Sequence, residues 1–139
     1  PADVVLLEGW CLGARPLGAA ALAEPVNALE RDEDEGAVWR GFIDATLAGP
    51  CRDLFGRIDW LAVLTAPDFA TVRAWRREQE AKLQARLAAE GRRGGLEPAA
   101  LERFLDHYER LTAWCAEDLP ARADIVVRLD AARRPLTPP

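Results

Sequence analysis

Serine is absent from all 139 residues, and lysine occurs once, at Lys82. Without serine there is no serine nucleophile and no Gly-x-Ser-x-Gly elbow. Because Lys82 follows Ala81, no phosphate-cradling loop ending in Gly-Lys-Ser/Thr is present in these residues. Cysteine is sparse: Cys11, Cys51 and Cys115 are widely spaced, form no Cys-x-x-Cys pair, and have His107 as the only histidine. That pattern predicts packed, reduced thiols rather than a disulfide framework or a zinc site. No apolar run is long enough to span a bilayer, and no charged-then-apolar leader precedes the first apolar stretch, so a cytoplasmic protein without membrane contact is expected. The net charge is −5, with acids and arginines interspersed. A basic face for neutralising phosphates is therefore lacking, and nucleic acid is not an expected partner. The first residue is Pro1 rather than methionine, which suits a processed or excerpted sequence.

Half of the residues are hydrophobic, enough for a core, and one domain over residues 1–139 is the expectation. Asp3-Val4-Val5-Leu6-Leu7-Glu8-Gly9-Trp10 is a short aliphatic run without alternation, ending in a carboxylate and a glycine. Such a run reads as a strand buried on both faces of a parallel sheet, whose carboxyl end is where ligands bind. Glu8 falls at that end, and Gly9 allows a sharp turn there. A buried strand cannot begin a fold by itself, so the chain is expected to open in the middle of one.

Cys11 to Pro25 reads as a Gly/Ala/Pro-rich loop with room for a helical turn, and Asn27 to Leu47 as helix-prone but interrupted by a solvated acidic corner from Glu30 to Gly36. A helix from about Val38 to Leu47 is predicted to turn Val38, Phe42, Ile43 and Thr46 inward and to stop at Gly49-Pro50. Trp60 to Leu64 is a second buried strand. Pro67-Asp68 starts a long helix that runs to about Glu90. Three glycines around Arg92 and Arg93, residues 91–95, have the composition of a hinge. Pro98 opens the next helix, whose Leu101, Phe104, Leu105, Tyr108, Leu111, Thr112 and Cys115 form one apolar stripe ending near Leu119-Pro120. Ala123 to Leu129 is a third strand, and 130–139 a flexible tail. This order predicts an α/β fold, a partial parallel sheet of about three strands with crossover helices.

Three constellations could carry chemistry. Glu8 at a strand end could hold a magnesium-bound water or orient a hydroxyl, against the plainer role of capping a neighbouring helix. On the long helix Arg76, Gln79 and Glu80 share a face, with Arg73 before them and Lys82 and Arg86 beyond. Guanidinium groups ahead of a glycine hinge suit a lid over phosphates, and equally a solvated face laced with i,i+4 pairs. On the last helix Arg103, His107, Arg110 and Trp114 share a face. His107 could be a base or a phosphate contact, although a structural, half-buried histidine is the commoner case. The five tryptophans read as core and crevice walls.

Four blocks, taken together and in order, resemble the D-glycerate 3-kinase-like family of P-loop kinases, related to phosphoribulokinase, uridine kinase and pantothenate kinase. They are Leu7-Glu8-Gly9-Trp10-Cys11-Leu12-Gly13, Pro25-Val26-Asn27-Ala28-Leu29-Glu30, Trp75-Arg76-Arg77-Glu78-Gln79-Glu80 and His107-Tyr108-Glu109-Arg110-Leu111-Thr112. The resemblance implies transfer of the ATP γ-phosphoryl group to a small-molecule hydroxyl, with glycerate the leading acceptor and ATP and magnesium as cofactors. It implies the C-terminal half of a P-loop NTPase-like three-layer sandwich. It also implies Glu8 and Arg76 as catalytic residues, with Glu8 reaching magnesium through water. Trp10, Asn27, Glu30, Gln79, Glu80 and His107 would lie toward the substrate, and Arg92, Arg93, Arg133 and Arg134 toward the nucleotide. The family's phosphate loop would precede Pro1, so the isolated chain is expected to be inactive and to need the missing N-terminal half, or a homo-oligomer, as partner. A rival expectation is a non-catalytic interaction module derived from such a kinase. A hydrolase built on Glu8 and the acidic corner lacks ligands at helical or strand spacing.

Overall fold

A computed structural model describes residues 2–136. Six α-helices and two strands follow one another in these residues: α1 Ala19–Leu22, α2 Ala28–Glu33, α3 Val38–Thr46, α4 Arg52–Phe55, β1 Ala62–Thr65, α5 Phe69–Ala89, α6 Pro98–Asp118 and β2 Ile125–Arg128. The fold is mixed α/β, with β1 and β2 parallel in the register Ala62 to Ile125 through Thr65 to Arg128. The crossover between them is the α5/α6 hairpin. A parallel pair needs a long return connection, and here two helices supply it.

Local chemistry explains where the hairpin begins and turns. Asp68 caps α5 by accepting the Thr71 N–H at 2.7 Å, the geometry that satisfies a first-turn donor. Pro98 occupies the first turn of α6, where its missing N–H costs nothing. Gly91 and Gly95 adopt positive φ in the linker. Arg73 pairs with Asp106 and Glu109, Arg77 with Glu102, and Glu80 with Leu96. Rising numbers on α5 thus meet falling numbers on α6, and the helices run antiparallel.

The expected stripe on α6 is buried at Leu101, Leu105, Leu111 and Cys115, while Phe104 stays at its exposed margin. Leu111 and Cys115 join Ala14, Leu47, Val63 and Leu119 in the main core, with Cys11, Cys51, Leu61 and Trp114 packed around it. The three cysteines are free. Burial, with the neighbouring Cys11 next in weight, pushes the Cys115 thiol up to about 12. Burial likewise raises that of Cys11. Both are therefore protonated, packed thiols rather than nucleophiles.

Trp60 and Leu64, expected in a buried strand, are 76% and 68% exposed, and Trp39 is likewise on the surface rather than a core or crevice wall. Glu30 to Gly36 is not a solvated corner, since α2 runs through Glu30 to Glu33 and the Glu30 and Asp34 side chains are nearly buried against arginines. Two further expectations require correction. Residues 3–8 pair with no strand among the described residues, and Val4, Val5 and Leu6 are more than four-fifths exposed. A strand buried on both faces needs flanking strands and covering layers, and the chain offers neither to this run. Among the described residues the sheet therefore has two strands. Second, α3 turns Val38, Phe42 and Ile43 outward and buries Arg40 instead. Arg40 can be buried because its guanidinium donates to the carbonyls of Leu22 at 2.8 Å and Asp34 at 2.7 Å, with Asp34 Oδ2 also in reach. As expected, the helix stops at Gly49-Pro50: α3 ends at Thr46, Gly49 has non-helical backbone with φ −109° and ψ −107°, and a separate short helix, α4, follows the kink. The tail is ordered as far as its described residues go: Leu129 bridges Pro135, and the Trp75 indole donates to the Ala131 carbonyl at 2.8 Å.

Candidate functional site

Charged side chains gather on two sides of the α5/α6 hairpin, and their bonding differs. On one side α2 is clamped to α6. Asn27 caps α2 by accepting the Glu30 N–H at 3.0 Å, and its amide donates across to the Asp106 carbonyl at 2.9 Å and Glu109 Oε2 at 3.1 Å. Arg110 grips Glu30 with two parallel bonds, Nε to Oε1 at 2.8 Å and Nη2 to Oε2 at 2.5 Å. Two of its remaining donors reach the carbonyls of Ala21 and Glu24, both at 2.5 Å. Burial pushes the Glu30 carboxyl up, but the Arg110 bond, the Val26 N–H and the Arg110 and Arg40 charges outweigh it. Its pKa falls below the ordinary value. Next to this clamp Arg73 meets Glu102 at 3.1 Å, Asp106 at 2.6 Å and Glu109 at 3.0 Å. Asn27 and Glu30, expected on the acceptor side, spend their polar atoms on α6 and on backbone.

The other side is open. Val72, Trp75, Arg76, Glu78, Gln79 and Lys82 of α5, with Arg133 from the loop after β2, line a crevice of about 470 Å³. Arg133 has φ of 64°. It donates to Glu78 Oε2 at 2.7 Å and lies 5.2 Å from the Trp75 ring centroid, so a salt bridge and a cation–π contact both orient it. Hydrogen bonds from Lys82 and then Arg133, with their charges, hold the Glu78 carboxyl down to about 2. Arg76 hydrogen-bonds Gln79, lies 3.7 Å from Glu80 Oε2, and sits 5.7 Å over the Phe104 ring. Three cations therefore share the crevice with one carboxylate, and Arg76 is tied less fully than Arg110. An anion with several oxygens is the ligand such a surface can receive.

The remaining expected residues are dispersed. Trp10 donates its indole N–H to Thr112 Oγ1 at 3.0 Å and packs edge-on against Tyr108 at 4.7 Å. Tyr108 in turn meets Phe104 at 4.8 Å, so an aromatic line runs from Trp10 to the ring beneath Arg76. Glu80 faces the linker rather than the crevice, and its Oε1 accepts the Leu96 N–H at 2.6 Å. Glu8 is exposed and, among the described residues, has no hydrogen-bonded partner. His107 is exposed, with Nδ1 2.8 Å from the Arg103 carbonyl one turn back. Arg92 pairs with Glu90 at 3.0 Å, while Arg93 and Arg134 are exposed and line no part of the crevice. Among the described residues no group of three or more His, Cys, Asp or Glu side chains could hold a metal ion. Glu8 alone does not make a magnesium site.

Glu78 enters the crevice without being singled out by the sequence, which places Lys82 with the Arg76 face and Trp75 among the core and crevice walls. The signal for the face as a whole is there: Val72, Trp75, Arg76, Gln79 and Lys82 recur at three- and four-residue spacing, one face of a helix.

The chain is 29% identical over 104 residues, 75% of its length, to a protein of Schizosaccharomyces pombe (strain 972) named uncharacterized kinase mug58. The chain spans about a third of that relative, 35% of its length. No family model matches, and no solved structure matches. Among the described residues no helix is long and apolar enough to cross a membrane.

Proposed function

We propose that the chain is the lid-side part of an ATP-dependent small-molecule kinase, which transfers the ATP γ-phosphoryl group to a hydroxyl, with glycerate the leading acceptor. The observation that carries this reading is the meeting of Arg76, Lys82 and Arg133 on one open crevice. Phosphoryl transfer is catalysed chiefly by positioning and by stabilising charge on the transferred group, which is work for Arg76, whose donors are only partly used, and for Arg133 and Lys82 in exchange for their shared partner Glu78. The similarity to a protein named a kinase supports the same reaction class. In this reading Arg76 faces the transferred phosphate, Arg133 on Trp75 faces the nucleotide, and the aromatic line from Trp10 walls the acceptor side. Asn27 and Glu30 shape that wall through the α2/α6 clamp without contacting the acceptor.

The phosphate-cradling loop, with its lysine and the magnesium that accompanies ATP, would come from chain beyond these 139 residues. The exposed aliphatic run Val4 to Leu7 would be covered by the same additional chain. The test is a phosphoryl-transfer assay on the protein made from the complete reading frame. That protein should phosphorylate D-glycerate from ATP, and residues 1–139 alone should not. Arg76→Ala in the complete protein should lower kcat by about tenfold to hundredfold. Activity of residues 1–139 alone would refute the division of labour, and an unchanged kcat would remove Arg76 from the phosphate. No ATP-dependent transfer by the complete protein to any small hydroxy compound would refute the reaction class.

A further inference from the structure

Glu80 is a buried carboxylate in the middle of an otherwise solvated helix, 6% exposed. A buried charge is retained only where partners answer it, and its two oxygens answer different parts of the molecule. Oε1 accepts the Leu96 N–H at 2.6 Å, and Oε2 lies 3.7 Å from the Arg76 guanidinium. One turn further along α5, Gln84 donates to the Leu96 carbonyl at 2.8 Å. Both polar groups of Leu96 are therefore held by α5, and the end of the glycine-rich linker is docked rather than loose.

The linker is shaped to this carboxylate. Gly95 has φ of 91°, and a Cβ there would lie 2.5 Å from Glu80 Oε1 and 2.8 Å from Gln84 Cγ. Any side chain at this position displaces Glu80 or undocks the linker. Gly95 itself is separated from Arg76 by that carboxylate. The arrangement is a relay: linker against Glu80, Glu80 against Arg76, Arg76 over Phe104 at the crevice.

We infer that Glu80 is a positioning residue that couples docking of the 91–96 linker to the placement of Arg76. This rests on the proposed function only for what Arg76 does once placed. The coupling is a property of the resting protein and has its own readout. Glu80→Gln keeps an oxygen for the Leu96 N–H and removes the negative charge facing Arg76. Gly95→Ala leaves every side chain of the relay intact and pushes on its first member.

The experiment uses the complete protein, labelled to report the Arg76 Nε–Hε resonance and hydrogen exchange at the Leu96 amide, with steady-state phosphoryl transfer measured beside them. In Glu80→Gln the Arg76 resonance should shift while Leu96 protection is kept within about threefold. The kcat should fall about tenfold with little change in KM, because a misplaced group loses transition-state contact first. In Gly95→Ala the Arg76 resonance should shift as well and Leu96 protection should fall. Thermal melts confirm that both variants are folded, and each variant covers for failure of the other. An Arg76 resonance unmoved in both overturns the inference, as does a loss of kcat in Glu80→Gln with that resonance unchanged. If the wild type transfers no phosphate, the functional reading fails, while resonance and exchange still decide the coupling.

Discussion

The two charged regions beside the α5/α6 hairpin use the same side chains to opposite ends. In the α2/α6 clamp, Arg110 and Glu30 are 11% and 12% exposed, and Arg110 has four oxygens around it. In the α5 crevice Arg76 has one side-chain amide, one carboxylate at 3.7 Å and the face of a ring. A guanidinium with four of its five donors answered by its own protein, as in Arg110, holds the fold. One with most of its donors left over can hold something else. The distinction lies in the number of bonds already made, and residue type or position in a motif does not reveal it.

Breaking the clamp should give the largest effect. Arg110→Ala leaves Glu30 nearly buried without its partner, together with the carbonyls of Ala21 and Glu24. The expected cost is about 3 kcal/mol of stability in denaturant unfolding. Arg76→Ala, by contrast, should cost less, about 1 kcal/mol, because the pair it removes is long, at 3.7 Å, and buried Glu80 keeps the Leu96 N–H on its other oxygen. Equal costs for the two would erase the contrast.

Acid sharpens the same comparison. Glu30 has its pKa lowered in the folded protein from an ordinary value of 4.5. Its contribution to stability is therefore complete above pH 4.5 and is lost as the pH falls through the lower, folded value. The stability difference between wild type and Arg110→Ala should stay constant from pH 7 to 5 and shrink below pH 4.5. Urea unfolding over that range measures it, and a difference independent of pH would mean that Glu30 is not the group Arg110 stabilises. The Glu78 carboxyl, held down to about 2 by Lys82 and Arg133, should keep Arg133 tethered to the crevice through all of this range.

A smaller effect is expected at Asn27, whose loss removes the cap of α2 and two bonds to α6 but no charge. Asn27→Ala should cost about 1 kcal/mol, while Asn27→Asp should cost more. The cap oxygen survives in the aspartate, but a second carboxylate then faces Glu109, 3.1 Å from the present amide. An aspartate that stabilises the protein would show that capping outweighs the cross-helix bonds.

Much of the fold is legible in the residues. Asp68 and Pro98 mark helix starts because capping is local chemistry, and the stripe from Leu101 to Cys115 marks a face because its period is helical. Arg76 could be proposed from its helix face and from the family resemblance, whereas Arg133 rests on the resemblance alone. The bonding of Asn27 and Glu30 could not be read, since their partners Glu109 and Arg110 lie about eighty residues away and nothing in the spacing announces them. The aliphatic run at residues 3–8 misleads for a related reason. Composition says that a segment is fit for burial, whereas burial itself depends on what the rest of the chain places beside it.

The α3 helix is the sharpest instance, and it gives the smallest expected effect. Its apolar period is genuine, but a period fixes only that one face differs from the other. The direction of that face is decided by Arg40, whose bonds to the carbonyls of Leu22 and Asp34 can form only if the polar side of the helix lies inward. Phe42 is accordingly 63% exposed. A buried phenylalanine truncated to a small residue costs about 3–5 kcal/mol, but Phe42→Gln in residues 1–139 should cost no more than about 0.5 kcal/mol. A cost near that of a core phenylalanine would show that α3 buries Phe42 in solution. The outward rotation of the helix, and with it the role of Arg40 in setting that rotation, would then have to be abandoned.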